Sequence, residues 1–310
     1  MEVTERGVEV EPGVQLATWL IDGPTGPATG VGGEHIGPPQ RVHETFLLVH
    51  GLASNSKLWD YTALELARLG HRVAAMDLRG HGISDKPDHG YDFQTLTSDI
   101  VTVSDALGLP RPILAGQSLG ANLVLEAAFL HPQLFSGIAC VDGGTIELSE
   151  AFPEWDDAAK MLAPPMLIGT KRGTMVSMMR DAHPSWPESG IQATMANFYI
   201  RDDDTVAPRL SLDNHMQILR SLWEHRPSDR FGSLQVPALF VFAGGSGSGP
   251  PNKRESAEAA ASAIRSVVVE WFEQADHDIH AQYPVELATL FDTQVQQGFF
   301  GTDWATNEAG

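Results

Sequence analysis

Short apolar segments rich in β-branched residues alternate along the chain with longer segments in which apolar positions recur at a helical period. The apolar segments predict strands with the sequences VQLATWLI, TFLLV, RVAAMD, PILAG, GIACVD, ALFVFA and SVVVEWF. The longer segments predict helices, among them LWDYTALELARLG, FQTLTSDIVTVSDALG, SLGANLVLEAAFLHP and PVELATLFDTQVQQGFF. This alternation is typical of an α/β protein with a mostly parallel central sheet flanked by helices.

Two segments interrupt the alternation. The stretch from Asp22 to Gln40 is crowded with glycine and proline, which predicts an elongated turn between two early strands. Residues 143–231 contain helical segments separated by prolines and no convincing strand, which predicts a helical cap inserted into the α/β core. The predicted organisation is therefore a core formed by residues 1–142 and 232–310, with a cap formed by residues 143–231.

Composition limits the partners of the protein. The chain has 310 residues, and its 40 acidic against 20 basic side chains leave a formal charge of −20. Such a charge repels nucleic acid and anionic membrane surfaces, so we expect a small-molecule substrate, no nucleic-acid partner and no membrane partner. Cys140 is the single cysteine, which excludes an intramolecular disulfide and a cysteine metal cluster. The acidic opening MEVTERGVEVEPGV does not resemble a signal peptide, so we expect a cytoplasmic protein.

The strongest chemical signal is the pentapeptide Gly116-Gln117-Ser118-Leu119-Gly120, between an apolar strand and a helical segment. A serine on a tight strand-to-helix turn is held in strained geometry, and small residues two positions to either side let the strand and the helix pack closely. The backbone N–H of Leu119 and the helix dipole could then stabilise an oxyanion that develops at the serine. The motif predicts that Ser118 is a nucleophile.

With this motif in place, the chain resembles the α/β-hydrolase superfamily over nearly all of its length apart from the cap and the first insertion. The segment LLVHGLASNSKLWD is similar to the His-Gly loop of that family, here His50-Gly51. The resemblance implies that the backbone N–H of Leu52 is the second oxyanion donor. The segment MDLRGHGISDKP is similar to another family loop, and its polar side chains are interpreted mainly as a turn scaffold: Asp77, Arg79 and His81.

The catalytic base is predicted in the loop after the last strand, in the segment SVVVEWFEQADHDIHAQYPVELA. His277 lies seven residues before Pro284, which resembles the spacing in front of the closing helix in the family. His280 is the competing candidate, and we favour His277 because an imidazole directly after the strand can reach the serine turn.

In the serine mechanism a third group, an acid, orients the histidine base, and its position in this sequence is unusual. The family usually places an aspartate after the strand ALFVFA, which corresponds to a position near Ser246, where the sequence AGGSGSG has no carboxylate. The neighbouring predicted strand ends in Asp142, and some relatives of this fold, haloalkane dehalogenases among them, carry the acid there. Adjacent parallel strands lie about 4.8 Å apart, so an acid at that strand end can reach the same imidazole. Asp142 is therefore the predicted acid; a turn role for Asp142, a Ser-His dyad without an acid, and the lower-ranked Asp276 and Asp278 remain alternatives.

The predicted cap is rich in methionine, which suits an adaptable apolar pocket over the serine but equally suits packing between cap and core. The seven methionines are Met161, Met166, Met175, Met178, Met179, Met195 and Met216. In the segment RLSLDNHMQIL, Arg209, Asp213 and His215 could place a polar group in the pocket, but a role in capping a helix is favoured. No phosphate-binding glycine motif occurs and the HDIH pair is already assigned, so we expect no cofactor and no metal.

These residues predict a cofactor-free serine hydrolase, with an esterase acting on a small hydrophobic acyl or aryl substrate favoured. Dehalogenases and epoxide hydrolases of this superfamily attack with an aspartate at the position that Ser118 occupies here. A serine at this strand-to-helix turn indicates acyl transfer. Carbon-carbon bond hydrolysis and cofactor-free oxygenase or lyase chemistry occur on the same fold and remain alternatives. A non-catalytic ligand-binding protein is the alternative of a different class.

Overall fold

The computed structural model describes residues 2–23, 41–245 and 252–300. The strands of its main sheet are β1 (Val3–Glu11), β2 (Val14–Ile21), β3 (Thr45–Val49), β4 (Arg72–Met76), β5 (Ile113–Gln117), β6 (Gly137–Val141), β9 (Ala238–Ala243) and β10 (Val267–Phe272). Their spatial order is β1-β2-β4-β3-β5-β6-β9-β10. Strand β2 is antiparallel to both of its neighbours, and all other neighbouring strands are parallel. The predicted α/β class with a mostly parallel sheet is confirmed.

The centre of the sheet is buried on both faces. Every residue of β3, β5, β6 and β9 is buried, as expected for continuous apolar strands that are covered by helices on both sides. The two edge strands are more exposed. Strand β1 was not predicted, because four of the nine residues in its sequence VTERGVEVE are charged and most of its residues are exposed.

Helices cover the two faces of the sheet. One face carries α1 (Asp60–Arg68), α11 (Ile279–Gln282) and α12 (Pro284–Gln296), and the other carries α2 (Phe93–Ala106), α3 (Leu119–Leu130) and α10 (Lys253–Ala263). Short 3-10 helices occur at Ser56–Trp59 and Pro132–Leu134. Two apolar clusters, one on each face, form the core.

Between β6 and β9 lies the segment that we call the insert, residues 143–231. Its helices are α4 (Leu148–Ala151), α5 (Trp155–Leu162), α6 (Arg172–Ala182), α7 (Glu188–Met195), α8 (Leu212–Glu224) and α9 (Ser228–Phe231). The expectation that it contains no strand is wrong: β7 (Phe198–Ile200) and β8 (Val206–Pro208) form an antiparallel hairpin. Each strand is only three residues long, too short for an alternating pattern to stand out in the sequence.

The parallel strands end at one edge of the sheet, and the loops that follow β3, β5, β6 and β10 contain the residues predicted to be functional. In open α/β sheets this carboxyl edge is where ligands bind. Two sequence features lie mostly or wholly outside the described residues. They are the glycine- and proline-rich turn, of which residues 24–40 are not described, and the position near Ser246 where related proteins usually carry the triad aspartate.

Candidate active site

Ser118 sits on a strained turn between β5 and α3. Its backbone has φ 54° and ψ −117°, a left-handed conformation that is costly for any residue with a side chain. The conformation is held by the surrounding chain, because the Ser118 N–H donates to the carbonyl of Val141 at 3.0 Å and its carbonyl accepts from the N–H of Ala121 at 3.0 Å. The strand-turn-helix setting expected of the pentapeptide is therefore present.

The small residues around Ser118 are required by close backbone contacts. A Cβ atom at Gly116 would lie 2.2 Å from the carbonyl oxygen of Gly120, and one at Gly120 would lie 2.4 Å from the carbonyl oxygen of Val49. At Gly51 the closest contact is with a side chain, since its Cβ would lie 2.4 Å from Oε1 of Gln117. The buried Gln117 side chain also donates from Nε2 to the carbonyl of His277 at 3.3 Å. These contacts bring the His-Gly loop, the serine turn and the histidine loop together.

Asp142 and His277, 135 positions apart in sequence, are in direct contact. Oδ2 of Asp142 lies 2.6 Å from Nδ1 of His277. Only 1% of the Asp142 side chain is exposed, whereas 45% of the His277 side chain is. Asp142 has φ 45° and forms the turn that follows β6. The turn role that the sequence left as an alternative is therefore compatible with its contact to His277.

The surroundings of His277 favour its protonated form. Burial lowers the pKa of His277, but its hydrogen bond to Asp142 and the negative charges of Asp278 and Asp142 more than offset this effect, and the pKa is raised above 6.5. Lys253 acts in the opposite direction. An imidazole whose Nδ1–H is held by a carboxylate has its Nε2 atom free to accept a proton.

Lys253 is a residue of this site that sequence reasoning missed. Its Nζ atom lies 2.7 Å from Oδ1 and 3.0 Å from Oδ2 of Asp142, and 3.0 Å from the carbonyl oxygen of Ala243. It is the first charged residue after β9, the strand next to the one that ends in Asp142. That position at the carboxyl edge of the sheet was the available signal.

The other candidates in the loop after β10 do not take part in the contact between Asp142 and His277. His280 is fully buried with its ring 4.4 Å from that of Trp59, and burial lowers its pKa to about 3. Asp276 lies near His183, at 3.8 Å. Within the described ranges, neither Asp276 nor Asp278 hydrogen-bonds the imidazole of His277.

The two predicted donors, the N–H groups of Leu52 and Leu119, belong to neighbouring turns. In the part of the chain that the structure describes, neither group donates to a protein acceptor. The loop that carries Leu52 is supported by His50, which is buried, accepts the N–H of Leu78 on Nε2 at 3.0 Å and donates from Nδ1 to the carbonyl of Gly51 at 2.7 Å. Burial lowers the pKa of His50 to about 4, so the ring is neutral at pH 7.

The loop after β4 has structural contacts, as its sequence predicted. Asp77 accepts the N–H groups of Ser56 and Ile83, both at 2.8 Å. Arg79 forms two hydrogen bonds of 2.7 Å with Asp99. The buried His81 accepts the N–H of Ala53 on Nε2 at 3.1 Å. This loop therefore shapes the turn that carries Leu52.

Ser118, Asp142, His277 and Leu52 line one cavity of about 580 Å³. Its walls are mainly apolar side chains from the insert and the core: Ile146, Leu148, Phe152, Leu162, Leu219, Leu222 and Phe242. The insert thus covers the carboxyl edge of the sheet at the serine.

Of the two interpretations of the seven methionines, a pocket over the serine is wrong, because none of them lines the Ser118 cavity. Met166, Met175 and Met179 line a second cavity of about 320 Å³, which shares His215 with the first. Arg209 also lines this second cavity, with its guanidinium 4.4 Å from the ring of Tyr199. Asp213 lies in the first turn of α8, a helix capped by Ser211.

Among residues 2–23, 41–245 and 252–300 no group of three or more histidine, cysteine, aspartate or glutamate side chains is placed to hold a metal ion. The same residues contain no helix that is both long and apolar enough to cross a membrane.

The fold and the serine turn together match a known family. Residues 44–167 match the family model described as the alpha/beta hydrolase fold. The chain has the α/β-hydrolase fold. The matched residues run from β3 through the Leu52 turn, the Ser118 turn and Asp142 into the insert.

Local sequence similarity connects this chain to several curated relatives. It is 38% identical over 85 residues to the AB hydrolase superfamily protein YisY of Bacillus subtilis, covering 27% of this chain and 32% of that protein. It is 35% identical over 96 residues to 2-(acetamidomethylene)succinate hydrolase of Mesorhizobium japonicum, covering 31% and 34%. It is 32% identical over 103 residues to epoxide hydrolase B of Mycobacterium tuberculosis, covering 33% and 29%. The chain thus matches about a third of the length of each relative.

Similarity in structure extends over nearly the whole chain. The crystal structure of E-2-(acetamidomethylene)succinate hydrolase superposes with a TM-score of 0.74 and 21% identity, covering 95% of this chain and 99% of that one. A thioesterase domain from the curacin biosynthetic pathway superposes with a TM-score of 0.72 and 22% identity, covering 94% and 99%. At these identities the superpositions establish the α/β-hydrolase fold.

Proposed function

We propose that this protein is a serine hydrolase that cleaves carboxylic esters with a hydrophobic acyl or aryl part and needs no cofactor. The observation that carries the proposal is that Ser118, on a strained turn, lines the same cavity as a histidine whose Nδ1 is bound to a buried carboxylate. Nucleophile, base and acid are the three groups that acyl transfer requires.

In the proposed reaction, Oγ of Ser118 attacks the ester carbonyl carbon while Nε2 of His277 accepts the serine proton. His277 then gives this proton to the leaving alcohol, and an acyl group remains on Ser118. A water molecule, deprotonated by the same imidazole, attacks the acyl carbon. The bond between this carbon and Oγ then breaks, the imidazolium returns the proton to Oγ of Ser118, and the acid leaves. Asp142 keeps the Nδ1–H tautomer and stabilises the imidazolium in both steps.

The negative charge that develops on the carbonyl oxygen requires donors. We propose that the N–H groups of Leu52 and Leu119 supply them, since both lack a protein acceptor in the described residues and Leu119 begins a helix of twelve residues. Backbone donors at a helix N-terminus are already oriented, so they stabilise the charge without reorganisation.

The substrate class follows from the walls of the cavity. Its volume of about 580 Å³ and its mainly aliphatic and aromatic lining suit a hydrophobic acyl or aryl group. Proteins with similar folds are named as hydrolases of acyl bonds, among them an esterase from Exiguobacterium antarcticum and the curacin thioesterase domain. We further propose that residues 143–231 act as the cap domain, because they supply most of the apolar wall.

The proposal is tested by comparing the wild type with Ser118→Ala on a p-nitrophenyl ester of a short fatty acid. We expect kcat to fall by at least about 10³-fold, because removal of the nucleophile leaves only binding and oxyanion stabilisation. Ser104→Ala, a buried serine in α2, is the matched control and should retain wild-type activity. Full ester hydrolysis by Ser118→Ala would contradict the proposal. Cleavage of a vinylogous diketone without cleavage of esters would instead indicate carbon-carbon bond hydrolysis.

A further inference from the structure

Lys253 contacts both carboxylate oxygens of the candidate triad acid, Asp142. Among the described residues, three neighbours make four hydrogen bonds to the Asp142 carboxylate: Oδ1 accepts from the N–H of Ala243 at 2.9 Å and from Lys253 at 2.7 Å, and Oδ2 accepts from Lys253 at 3.0 Å and from His277 at 2.6 Å. Four bonds match the lone-pair sites of an ionised carboxylate. The orientation of the acid is therefore determined by these three neighbours.

The ion pair is nearly inaccessible to water. The side chains of Asp142 and Lys253 are 1% and 13% exposed. A buried carboxylate needs a compensating charge, and the imidazole of His277 provides one only while it is protonated. Lys253 forms an ion pair with Asp142, so it compensates the carboxylate in the resting state, when His277 must be neutral to accept a proton.

We propose that Lys253 is a positioning residue that holds the Asp142 carboxylate against Nδ1 of His277 and takes up part of its negative charge. This inference rests on the proposed function, because it assigns Lys253 a task within the same Ser118 site. Lys253 also hydrogen-bonds the carbonyl of Ala243, which ties its ammonium group to the end of β9.

The charge of Lys253 limits the basicity of His277. Three charged groups act on this imidazole: Asp142 at the end of β6, Asp278 in the histidine loop and Lys253 at the start of α10. The two carboxylates raise the pKa of His277 and Lys253 lowers it. A base with too high a pKa is already protonated at neutral pH and cannot accept the serine proton. Lys253 thus keeps a larger fraction of His277 available.

The experiment compares Lys253→Met, which removes the charge and all donors, Lys253→Gln, which removes the charge and keeps a donor, and Lys253→Arg, which keeps the charge. Arg254→Met is the matched control, because it removes a positive charge from the next residue, which pairs with Glu273 instead of Asp142. Two quantities are measured for each protein: the dependence of kcat/KM on pH for a p-nitrophenyl ester, and the pKa of His277 by NMR titration without substrate.

We expect the acidic midpoint of kcat/KM and the NMR pKa of His277 to rise by about one pH unit in Lys253→Met and Lys253→Gln, since a charge this close shifts a pKa by about that much or more. Below the midpoint this shift corresponds to a loss of about tenfold in kcat/KM. Lys253→Arg and Arg254→Met should titrate like the wild type. The glutamine variant gives the same test if the methionine variant does not fold.

If the pKa of His277 in both Lys253→Met and Lys253→Gln equals that of the wild type, the inference is overturned, whatever the change in kcat/KM. The NMR titration separates this failure from a failure of the proposed function, because it needs no turnover. Loss of ester activity in Ser118→Ala, together with an unmoved His277 titration in the Lys253 variants, would overturn only the role of Lys253. An active Ser118→Ala variant would overturn the proposed function and, with it, the catalytic meaning of the Lys253 contact.

Discussion

Nδ1 of His277 lies 2.6 Å from Oδ2 of Asp142, an acid at the end of β6 and not of β9. The side chain of Asp142 reaches across the sheet edge, because its Oδ1 accepts the N–H of Ala243 at the end of the neighbouring strand. The glycine- and serine-rich sequence after β9 is thereby explained: the carboxylate that contacts the imidazole comes from the adjacent strand.

This contact predicts the dependence of the activity on pH. The pKa of His277 is raised above 6.5, and only the neutral imidazole accepts the proton of Ser118. The kcat/KM for an ester should therefore be low in acid, rise as the pH increases, and reach half of its plateau above pH 6.5. The measurement is a pH profile at constant ionic strength. A midpoint below pH 6.5 would show that burial outweighs the hydrogen bond and charges that raise the pKa of His277, and would contradict this prediction.

The close packing at the serine turn predicts a stability difference between two glycines. Gly116→Ala should lower the free energy of unfolding by about 1–3 kcal/mol or more, because the new methyl group meets the backbone of Gly120. Gly173→Ala in α6 is the control, since a Cβ there meets nothing within 4 Å and should change stability by less than about 1 kcal/mol. Urea unfolding of both variants measures the effect. Equal stabilities would mean that the turn can relax around the methyl group.

The predictability of this protein from its sequence differs between its parts. The fold class could be predicted because β3, β5, β6 and β9 are buried on both faces of the sheet. Strands in this position are mainly apolar along their length, so they stand out in the sequence. The sequence also places Ser118, Asp142 and His277 at one edge of the sheet, and all three line one cavity. Their catalytic roles stay predictions.

Other features depend on contacts that no local pattern reveals. Lys253 pairs with an acid 111 positions away and follows a loop without secondary-structure signal. The β7–β8 hairpin pairs strands of three residues, and its register comes from packing within the insert. Met175, Met179 and Met195 pack with Phe198 and Val206 of the hairpin, and Met166 lines the second cavity; these positions depend on the path of the insert and not on composition.

The apolar cavity predicts a dependence on the length of the acyl chain. Ala151→Trp places a large ring at the wall of the Ser118 cavity. The kcat/KM for a long-chain p-nitrophenyl ester should fall by about tenfold or more, because the ring displaces the acyl chain and misplaces the ester carbonyl. The kcat/KM for the acetate ester should change little. Ala163→Trp, an exposed alanine of the insert outside this cavity, should leave both esters unchanged. Equal losses for both esters in Ala151→Trp would indicate that this cavity does not hold the acyl chain.

The most direct test of the Ser118, His277 and Asp142 assignment is the rate at which a fluorophosphonate probe adds to the protein, followed by mass spectrometry of the intact chain. The wild type and Asp142→Asn are compared, with Asp105→Asn as an exposed control of the same charge change. We predict rapid labelling at Ser118 in the wild type and the control, and a loss of about 10²-fold or more in Asp142→Asn, because the amide stabilises the wrong tautomer of His277. Equal rates in all three proteins would show an active serine that does not use Asp142, and no labelling of the folded wild type would contradict the proposed function itself.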